Sequence, residues 1–165
     1  MKTMTKLFPV LLILILLSCK STTYFVSRHA ERAGSMSSDP GLTPEGEKQA
    51  QDLKNYLQGK NIKAIYSTNY IRTKSTAQPT SDLFGVPVKI YNPAQTTQLL
   101  DSLKGFKSGN VLIVGHSNTV DDIVNRLTGE AQLSDLPDSA YNNIYVVNRK
   151  GNKFVLRRMD YDSFR

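Results

Sequence analysis

The sequence of 165 residues has little of what several classes of protein require. It contains a single cysteine, so no disulfide can form within the chain, and its length is enough to bury a core without one. Its two histidines and scattered carboxylates show no metal-ligand spacing, so we expect no metal site and no other cofactor. Internal repeats and low-complexity tracts are also missing. These absences favour a single globular domain.

Three common ways of handling phosphate or acyl groups are missing as well. The chain has no Walker-type glycine loop, no cysteine nucleophile in a phosphate loop, and no serine in a Gly-x-Ser-x-Gly elbow. Chemistry on a phosphate group would therefore use other side chains. A neutral imidazole can attack phosphorus, and arginines can bind the phosphate oxygens in pairs.

The formal net charge of +7 raises the question of nucleic-acid binding. The basic residues are scattered, however, and neither an aromatic platform nor a basic helix accompanies them. We therefore predict no nucleic-acid partner. The charge favours a solvated surface with some attraction for anionic substrates and lipid headgroups.

The amino terminus has the pattern of a targeting segment. Lys2 and Lys6 precede an apolar run over residues 7–17, which is shorter than the roughly 20 residues of a membrane-spanning helix. The run ends at Leu17-Ser18-Cys19, which resembles the lipobox of bacterial lipoproteins. The alternative for Cys19 is a small buried apolar side chain.

This resemblance implies a lipoprotein signal peptide over residues 1–18, lipidation at Cys19, a short tether over 19–22 and a domain over 23–165. The tether reaches roughly 10 Å, so the domain would lie against the membrane that holds it. We expect a lipid-anchored protein on the periplasmic side of a bacterial membrane.

Predicted strands and helices alternate along residues 23–165. The strands are a first one that ends at Arg28-His29, then 62–66, 86–90, 110–115, 143–148 and 154–159. The helices run from the N-cap Thr43 to Gly59, over 68–81, over 96–103, and from a cap at Ser117 or Asn118 to Gly129. This order predicts an α/β fold with three layers: a mostly parallel central sheet flanked by helices, with a C-terminal antiparallel hairpin.

The stretch from residue 24 to residue 32 organises the candidate site. A strand that ends in Arg28-His29 places both side chains at the carboxyl edge of the sheet, where α/β proteins bind their ligands. A lone histidine is more often structural. Two further features favour function here: Arg72 in the first turn of a predicted helix, and His116 at the end of the predicted strand 110–115.

Four segments in this order resemble the histidine phosphatase superfamily, whose fold is like that of phosphoglycerate mutase. They are Arg28-His29-Ala30-Glu31, Leu42-Thr43-x-x-Gly46-x-x-Gln49-Ala50, Thr68-x-x-x-Arg72-Thr73-x-x-Thr76-Ala77 and Val114-Gly115-His116-Ser117. The chain is similar in size to the compact branch that contains phosphohistidine phosphatases. The resemblance implies that His29 forms a phosphohistidine and that Arg28, Arg72 and His116 stabilise the phosphate oxygens. Ala30 stands where glycine is commoner, which requires a negative φ.

The remaining site residues are predicted from their position in the same loops. Arg32 and Ser117 are candidates for binding substrate. The general acid is harder to assign, because residues 86–98, where relatives often carry a glutamate, contain no acidic residue. Glu31 is the candidate, with Asp39 in the same loop, although either carboxylate could equally be structural or solvated.

These features predict a metal-independent phosphohydrolase that acts on phosphomonoesters through a phosphohistidine on His29. The expected partner is a phosphorylated small molecule, and a phosphorylated protein is also possible. One alternative is a protein phosphohistidine phosphatase. Another is a catalytically weak lipoprotein that only binds phosphate, which the missing acid would favour.

Overall fold

The computed structural model describes residues 21–34, 37–106, 108–131, 133–141 and 143–160. The predicted signal peptide and Cys19 lie outside the described residues. The elements in chain order are β1 (Ser21–Arg28), α1 (Pro44–Leu57), β2 (Ile62–Ser67), α2 (Ile71–Phe84), β3 (Val88–Ile90), a 3₁₀ turn (Pro93–Gln95), α3 (Thr96–Lys104), β4 (Asn110–Gly115), α4 (Ser117–Thr128), β5 (Asn143–Lys150) and β6 (Lys153–Asp160). No helix in these ranges is both long enough and apolar enough to span a bilayer.

The six strands form one sheet in the order β3-β2-β4-β1-β5-β6. The first four strands in this order pair in parallel, whereas β5 runs antiparallel to β1 and β6 antiparallel to β5. The predicted fold class is therefore confirmed, including the C-terminal hairpin. Because β1 and β4 are neighbouring parallel strands, the residues that follow them emerge side by side at one edge of the sheet.

Each face of the sheet carries its own apolar core. On one face, the inward side chains of α3 and α4 pack on the strands, and this core includes Leu99, Leu103, Val120, Ile123 and Val124. On the other face, the core includes Leu53 and Leu57 of α1 and Ala77 of α2. The central strands contribute alternate residues to the two cores, for example Val111 and Ile113 to one and Leu112 and Val114 to the other. The apolar run of β4 is thus a strand buried on both faces, as predicted.

Several element boundaries differ from the sequence prediction. β1 begins at Ser21 and pairs with Lys150 there, so Ser21 and Thr22, which we assigned to the tether, are strand residues. α2 begins at Ile71 rather than at residue 68, because the Thr73 hydroxyl bonds the carbonyl oxygens of Thr68 and Tyr70 and fixes a turn before the helix. Arg72 still lies in the first turn of α2, as predicted.

The start of α4 also differs from the prediction. His116 itself occupies the N-cap position, rather than Ser117 or Asn118. Its backbone N–H donates to the Thr119 hydroxyl at 2.9 Å. His116 therefore lies at the junction of β4 and α4, and both elements fix the position of its backbone.

Candidate active site

Four predicted side chains from three separate segments line one cavity of about 790 Å³. Arg28 and His29 reach it from the end of β1, Arg72 from the first turn of α2, and His116 from the end of β4. The centroids of the two imidazole rings are 5.5 Å apart. The topology thus brings two imidazoles and two guanidinium groups to one place at the carboxyl edge of the sheet.

The hydrogen bonding of His29 determines which ring nitrogen can react. Its Nδ1 lies 2.8 Å from the carbonyl oxygen of Ala30. Because a carbonyl oxygen only accepts, Nδ1 carries the proton in the neutral ring and Nε2 keeps its lone pair. Burial lowers the pKa of His29 from 6.5 to about 3, and the nearby charges of Arg28, His116 and Arg72 act in the same direction against the bond to Ala30. The ring is therefore neutral at physiological pH, with Nε2 available as a nucleophile.

Three backbone hydrogen bonds hold the segment that carries His29. The N–H of His29 donates to the carbonyl oxygen of Gly115, that of Ala30 to the hydroxyl of Thr76, and that of Glu31 to Oε1 of Gln49, each at 2.9 Å. These bonds connect the segment to β4, α2 and α1. The φ of Ala30 is negative, because the one non-glycine residue with positive φ in the described part of the chain is Asn61. Alanine is therefore tolerated at this position.

Thr76 links the nucleophile to one of the arginines. Its hydroxyl accepts the bond from Ala30 and donates to the carbonyl oxygen of Arg72 at 2.7 Å. We expect Thr76→Val to leave the Ala30 N–H without a partner, to cost about 1–3 kcal/mol of stability and to lower kcat/KM several-fold. Urea unfolding and a phosphatase assay check this. Thr80→Val is the matched control: within the described ranges the buried Thr80 hydroxyl has no hydrogen-bond partner, so its loss should lower neither stability nor kcat/KM. Equal effects of both substitutions would contradict the positioning role of Thr76.

Arg28 is buried and held by the loop that precedes β5. Its Nη1 donates to the carbonyl oxygens of Pro137, Asp138 and Ala140 at 2.9–3.4 Å, and its guanidinium carbon lies 4.3 Å from the centroid of the Tyr141 ring. Its Nη2 lies 3.6 Å from Oδ1 of Asp138. These contacts fix the orientation of the guanidinium group before any anion binds.

Arg72 is held by a carboxylate and an aromatic ring. Its Nη1 lies 3.4 Å from Oδ1 of Asp39, and its guanidinium carbon lies 4.4 Å from the centroid of the Tyr70 ring. Asp39 also accepts the backbone N–H of Ile71, so it caps α2 and orients Arg72 together. The Nε atoms of Arg72 and Arg28 are both buried without a hydrogen-bond partner in the described ranges. Such donors are unusual unless a ligand completes the site.

His116 is held from two sides. Its Nε2 lies 2.9 Å from the hydroxyl of Thr68, and its ring meets that of Tyr70 edge-on, with centroids 4.9 Å apart. Burial, together with the charges of Arg72 and Arg28 and against that of Asp39, lowers the pKa of His116 to about 4. Without a ligand the ring is neutral. A bound phosphate dianion acts in the opposite direction and favours the protonated form.

The two depressed pKa values predict how stability depends on pH. The unfolded chain binds protons at histidines with a pKa near 6.5, whereas the folded chain binds them only near 3 and 4. The free energy of unfolding should therefore fall as the pH drops from 7 to 5, by about 2 kcal/mol for His29 and by less for the partly exposed His116. The chain has only these two histidines. Urea unfolding of the wild type, His29→Gln and His116→Gln measures the effect, and an equal pH dependence in all three would contradict it.

The comparison with protein families agrees with this geometry. Residues 24–93 match the model of the histidine phosphatase superfamily, branch 1. The matched segment contains Arg28, His29 and Arg72, and His116 reaches the same cavity from outside it. Over this segment the chain is similar to the histidine phosphatase superfamily.

Solved structures of several phosphatases share the fold of this chain. The protein histidine phosphatase SixA complexed with tungstate aligns with a TM-score of 0.69 at 18% identity, over 87% of this chain and 99% of that chain. The alpha-ribazole phosphatase from Shigella flexneri gives 0.66 at 15% identity, over 84% and 96%. A phosphoserine phosphatase in complex with 3-phosphoglyceric acid from Entamoeba histolytica gives 0.64 at 16%, over 84% and 96%. The comparison with curated protein sequences gives no match.

The other predicted site residues divide into two groups. Arg32 and Ser117 line the cavity, where both were predicted to bind substrate. The carboxylate of Glu31, the predicted general acid, instead lies 3.2 Å from the hydroxyl of Thr43 at the start of α1, and Glu31 is not among the lining residues. The position of Glu31 is set by this contact and by the bond from its N–H to Gln49. Asp39 is held by Ile71 and Arg72 as described above.

Sequence reasoning missed three residues that shape the site. Asp138 is the one carboxylate among the residues found to line the cavity, and its side chain is 96% exposed. Tyr70 lines the cavity and contacts both Arg72 and His116, whereas Tyr141 contacts Arg28 and lies 5.8 Å from the His29 ring. No group of three or more potential metal-ligating side chains occurs within the described ranges.

Proposed function

We propose that this protein is a histidine phosphatase, a metal-independent phosphohydrolase that cleaves phosphomonoesters through a phosphohistidine on Nε2 of His29. The observation that carries the proposal is the cavity in which an unprotonated Nε2 lies among Arg28, Arg72 and His116. A neutral imidazole with its lone pair free is a competent nucleophile. The surrounding donors match the oxygens of a tetrahedral anion.

The reaction consists of two displacements at phosphorus. In the first, the Nε2 lone pair of His29 forms a bond to phosphorus, the bond to the ester oxygen breaks, and the leaving alcohol takes up a proton. In the second, water attacks phosphorus, the bond to Nε2 breaks, and inorganic phosphate leaves with the water oxygen. The proton stays on Nδ1, which donates a hydrogen bond to the carbonyl oxygen of Ala30 throughout, so Nε2 is the nitrogen that reacts in each cycle.

The side chains around the phosphate supply the charge that the transition state needs. Arg28 and Arg72 are held in place before substrate binds, so little reorganisation accompanies the reaction. His116 becomes protonated when the dianion binds and adds a third positive group. This coupling reconciles the neutral ring of the free enzyme with a cationic role in the complex.

The proton for the leaving group has one carboxylate source in the described cavity, Asp138. That carboxylate is exposed and lies beside Arg28, so it can hold a water molecule that supplies the proton to the leaving oxygen. Substrates whose leaving groups are stable as anions need less assistance. We therefore expect aryl phosphates to be cleaved faster than alkyl phosphates.

A direct assay tests the proposal. Purified protein should hydrolyse p-nitrophenyl phosphate at the same rate with and without EDTA, because no step uses a metal ion. Tight binding of inorganic phosphate without any turnover between pH 4 and pH 8 would instead support a protein that only binds phosphate. Loss of activity in EDTA that is restored by a divalent cation would contradict the metal-independent mechanism.

A protein phosphohistidine phosphatase is the second candidate. It is supported by the similarity of fold to the protein histidine phosphatase SixA and by the position of Glu31 away from the cavity. An imidazole leaves phosphorus more readily than an alcohol, so this substrate makes a smaller demand on a general acid. The ratio of kcat/KM for a phosphohistidine peptide and for p-nitrophenyl phosphate distinguishes the two candidates.

We also propose that the protein is a periplasmic lipoprotein anchored at Cys19. The support is the sequence pattern of residues 1–19 and the short distance from Cys19 to the start of β1 at Ser21. β1 has eight residues and is roughly 25 Å long, and His29 follows its far end. An anchored domain would therefore present the catalytic cavity away from the membrane. Cys19→Ala should move the protein from the membrane fraction to the soluble fraction, and unchanged fractionation would contradict the anchor.

A further inference from the structure

A second depression adjoins the phosphate cavity and shares two of its walls. It has a volume of about 520 Å³ and is lined by Asn69, Tyr70, Ile90, Tyr91, Asn92 and Pro93. Tyr70 and Pro93 also line the phosphate cavity. We propose that this depression, the neutral depression, binds the leaving group of the substrate and selects an uncharged, ring-containing one. The proposal rests on the proposed phosphohydrolase function.

The charge of the two neighbouring spaces differs sharply. The phosphate cavity is lined by Arg28, Arg32, Arg72 and Asp138 in addition to the two histidines. The six residues of the neutral depression include neither an acidic nor a basic side chain. The ammonium group of Lys74, which is not among the lining residues, donates to Oδ1 of Asn69 at 3.1 Å. A charged leaving group placed there would lose hydration without gaining a partner.

The neutral depression also offers apolar and aromatic surface. Ile90 is 52% exposed and Tyr70 is 36% exposed, so the depression presents apolar surface that a bound ring could cover. The Tyr70 ring is fixed between Arg72 and His116, so it forms a rigid wall between the two spaces. A flat ring attached to the phosphate can pack against this wall, and the amides of Asn69 and Asn92 can bond its polar atoms.

This geometry assigns a chemical class to the substrate. The phosphate group occupies the cationic cavity, and a neutral ring, such as that of a phenol, a nucleoside or a sugar, occupies the neutral depression. Phosphomonoesters of carboxylate-bearing alcohols are disfavoured, because the carboxylate would face Ile90 and Pro93 rather than a cation. The selection acts on kcat/KM, since it concerns the part of the substrate that leaves.

Two substrates with the same ring test the inference. Phenyl phosphate and 3-carboxyphenyl phosphate differ by one negative charge on the leaving group. The wild type should favour phenyl phosphate about tenfold or more in kcat/KM. Ile90→Lys should lower the ratio of kcat/KM for phenyl phosphate to that for 3-carboxyphenyl phosphate by about tenfold, and Ile90→Glu should raise this ratio. Ile90 is exposed on the edge strand β3. The neutral variant Ile90→Ser should lower kcat/KM for both substrates and leave the ratio of the two values unchanged.

Val155→Lys is the matched control. Val155 is 54% exposed on β6, which forms the opposite edge of the sheet, so the same added charge should leave the ratio unchanged. A wild-type ratio near one, or a ratio that Ile90→Lys and Val155→Lys change equally, would overturn the neutral depression as a leaving-group site while leaving the phosphatase function intact. Failure to hydrolyse either substrate would overturn the function and this inference together.

Discussion

Replacing His29 with alanine should abolish turnover, lowering kcat by about 10⁴-fold or more. The substitution removes the nitrogen that forms the bond to phosphorus. The one other imidazole in the chain, that of His116, cannot replace it, because its ring centroid lies 5.5 Å from that of His29 and its Nε2 lies beside the hydroxyl of Thr68. Steady-state hydrolysis of p-nitrophenyl phosphate measures the loss.

The control for this variant is phosphate binding. Arg28, Arg72 and His116 remain in His29→Ala, so inorganic phosphate should still bind and raise the unfolding temperature. His116→Ala should keep measurable turnover, because it removes a charge that stabilises the oxygens rather than the nucleophile. Substantial turnover by His29→Ala would show that the phosphoryl group is transferred by a different route.

Replacing Arg72 with glutamine should lower kcat/KM by about 10²–10³-fold. Its guanidinium group is oriented by Asp39 and Tyr70, and its buried Nε has no hydrogen-bond partner in the described part of the chain. A glutamine side chain cannot reproduce this set of donors. The loss should appear in kcat as well as in KM, because the charge on the phosphate oxygens changes during transfer. Kinetics with phenyl phosphate separate the two parameters.

Arg126→Gln is the matched control for Arg72→Gln. Arg126 lies on α4, half-exposed and paired with Asp122, and it is not among the residues that line the cavity. A surface pair of this kind contributes about 0–1 kcal/mol of stability and should leave activity unchanged. Equal activity in Arg72→Gln and Arg126→Gln would contradict the role of Arg72 in binding the phosphate oxygens.

The architecture follows from local patterns in the sequence. The N-cap Thr43 and Pro44 predict the start of α1, and the structure confirms it: the Thr43 hydroxyl accepts the N–H of Gly46 at 2.9 Å. The apolar run of β4 predicts both ends of a doubly buried strand. The start of α2 was placed too early, because the turn before it depends on hydrogen bonds from Thr73 and Asp39 that propensity does not encode.

The sequence predicted the site residues that directly follow a predicted strand, and it did not predict others that lie in loops. His29 and His116 follow neighbouring parallel strands, and that placement alone brings them to one edge. Asp138 lies in the loop between α4 and β5, whose course is fixed by the bonds from Arg28 to loop carbonyl oxygens, and its sequence carries no motif. Tyr70 resembled an ordinary loop residue, since only the packed structure shows its ring against Arg72.

The motif residues that do not touch the cavity also acquire a physical reason. Gln49 and Thr76 bind the backbone of the segment that carries His29. Gly46 allows α1 to approach that segment, because a Cβ at this position would overlap the carbonyl oxygen of Glu31. The motifs thus include residues that position the segment of the nucleophile as well as the nucleophile itself.

The measurement that tests the central claim most directly is the location of the phosphoryl group during turnover. Protein quenched while hydrolysing phenyl phosphate, digested and sequenced by mass spectrometry under conditions that preserve phosphoramidates, should carry phosphate on His29. Phosphorus NMR should assign it to Nε2, because Nδ1 is bonded to Ala30. Phosphate on another residue, or full turnover with no phosphorylated protein in rapid-quench experiments, would contradict the account.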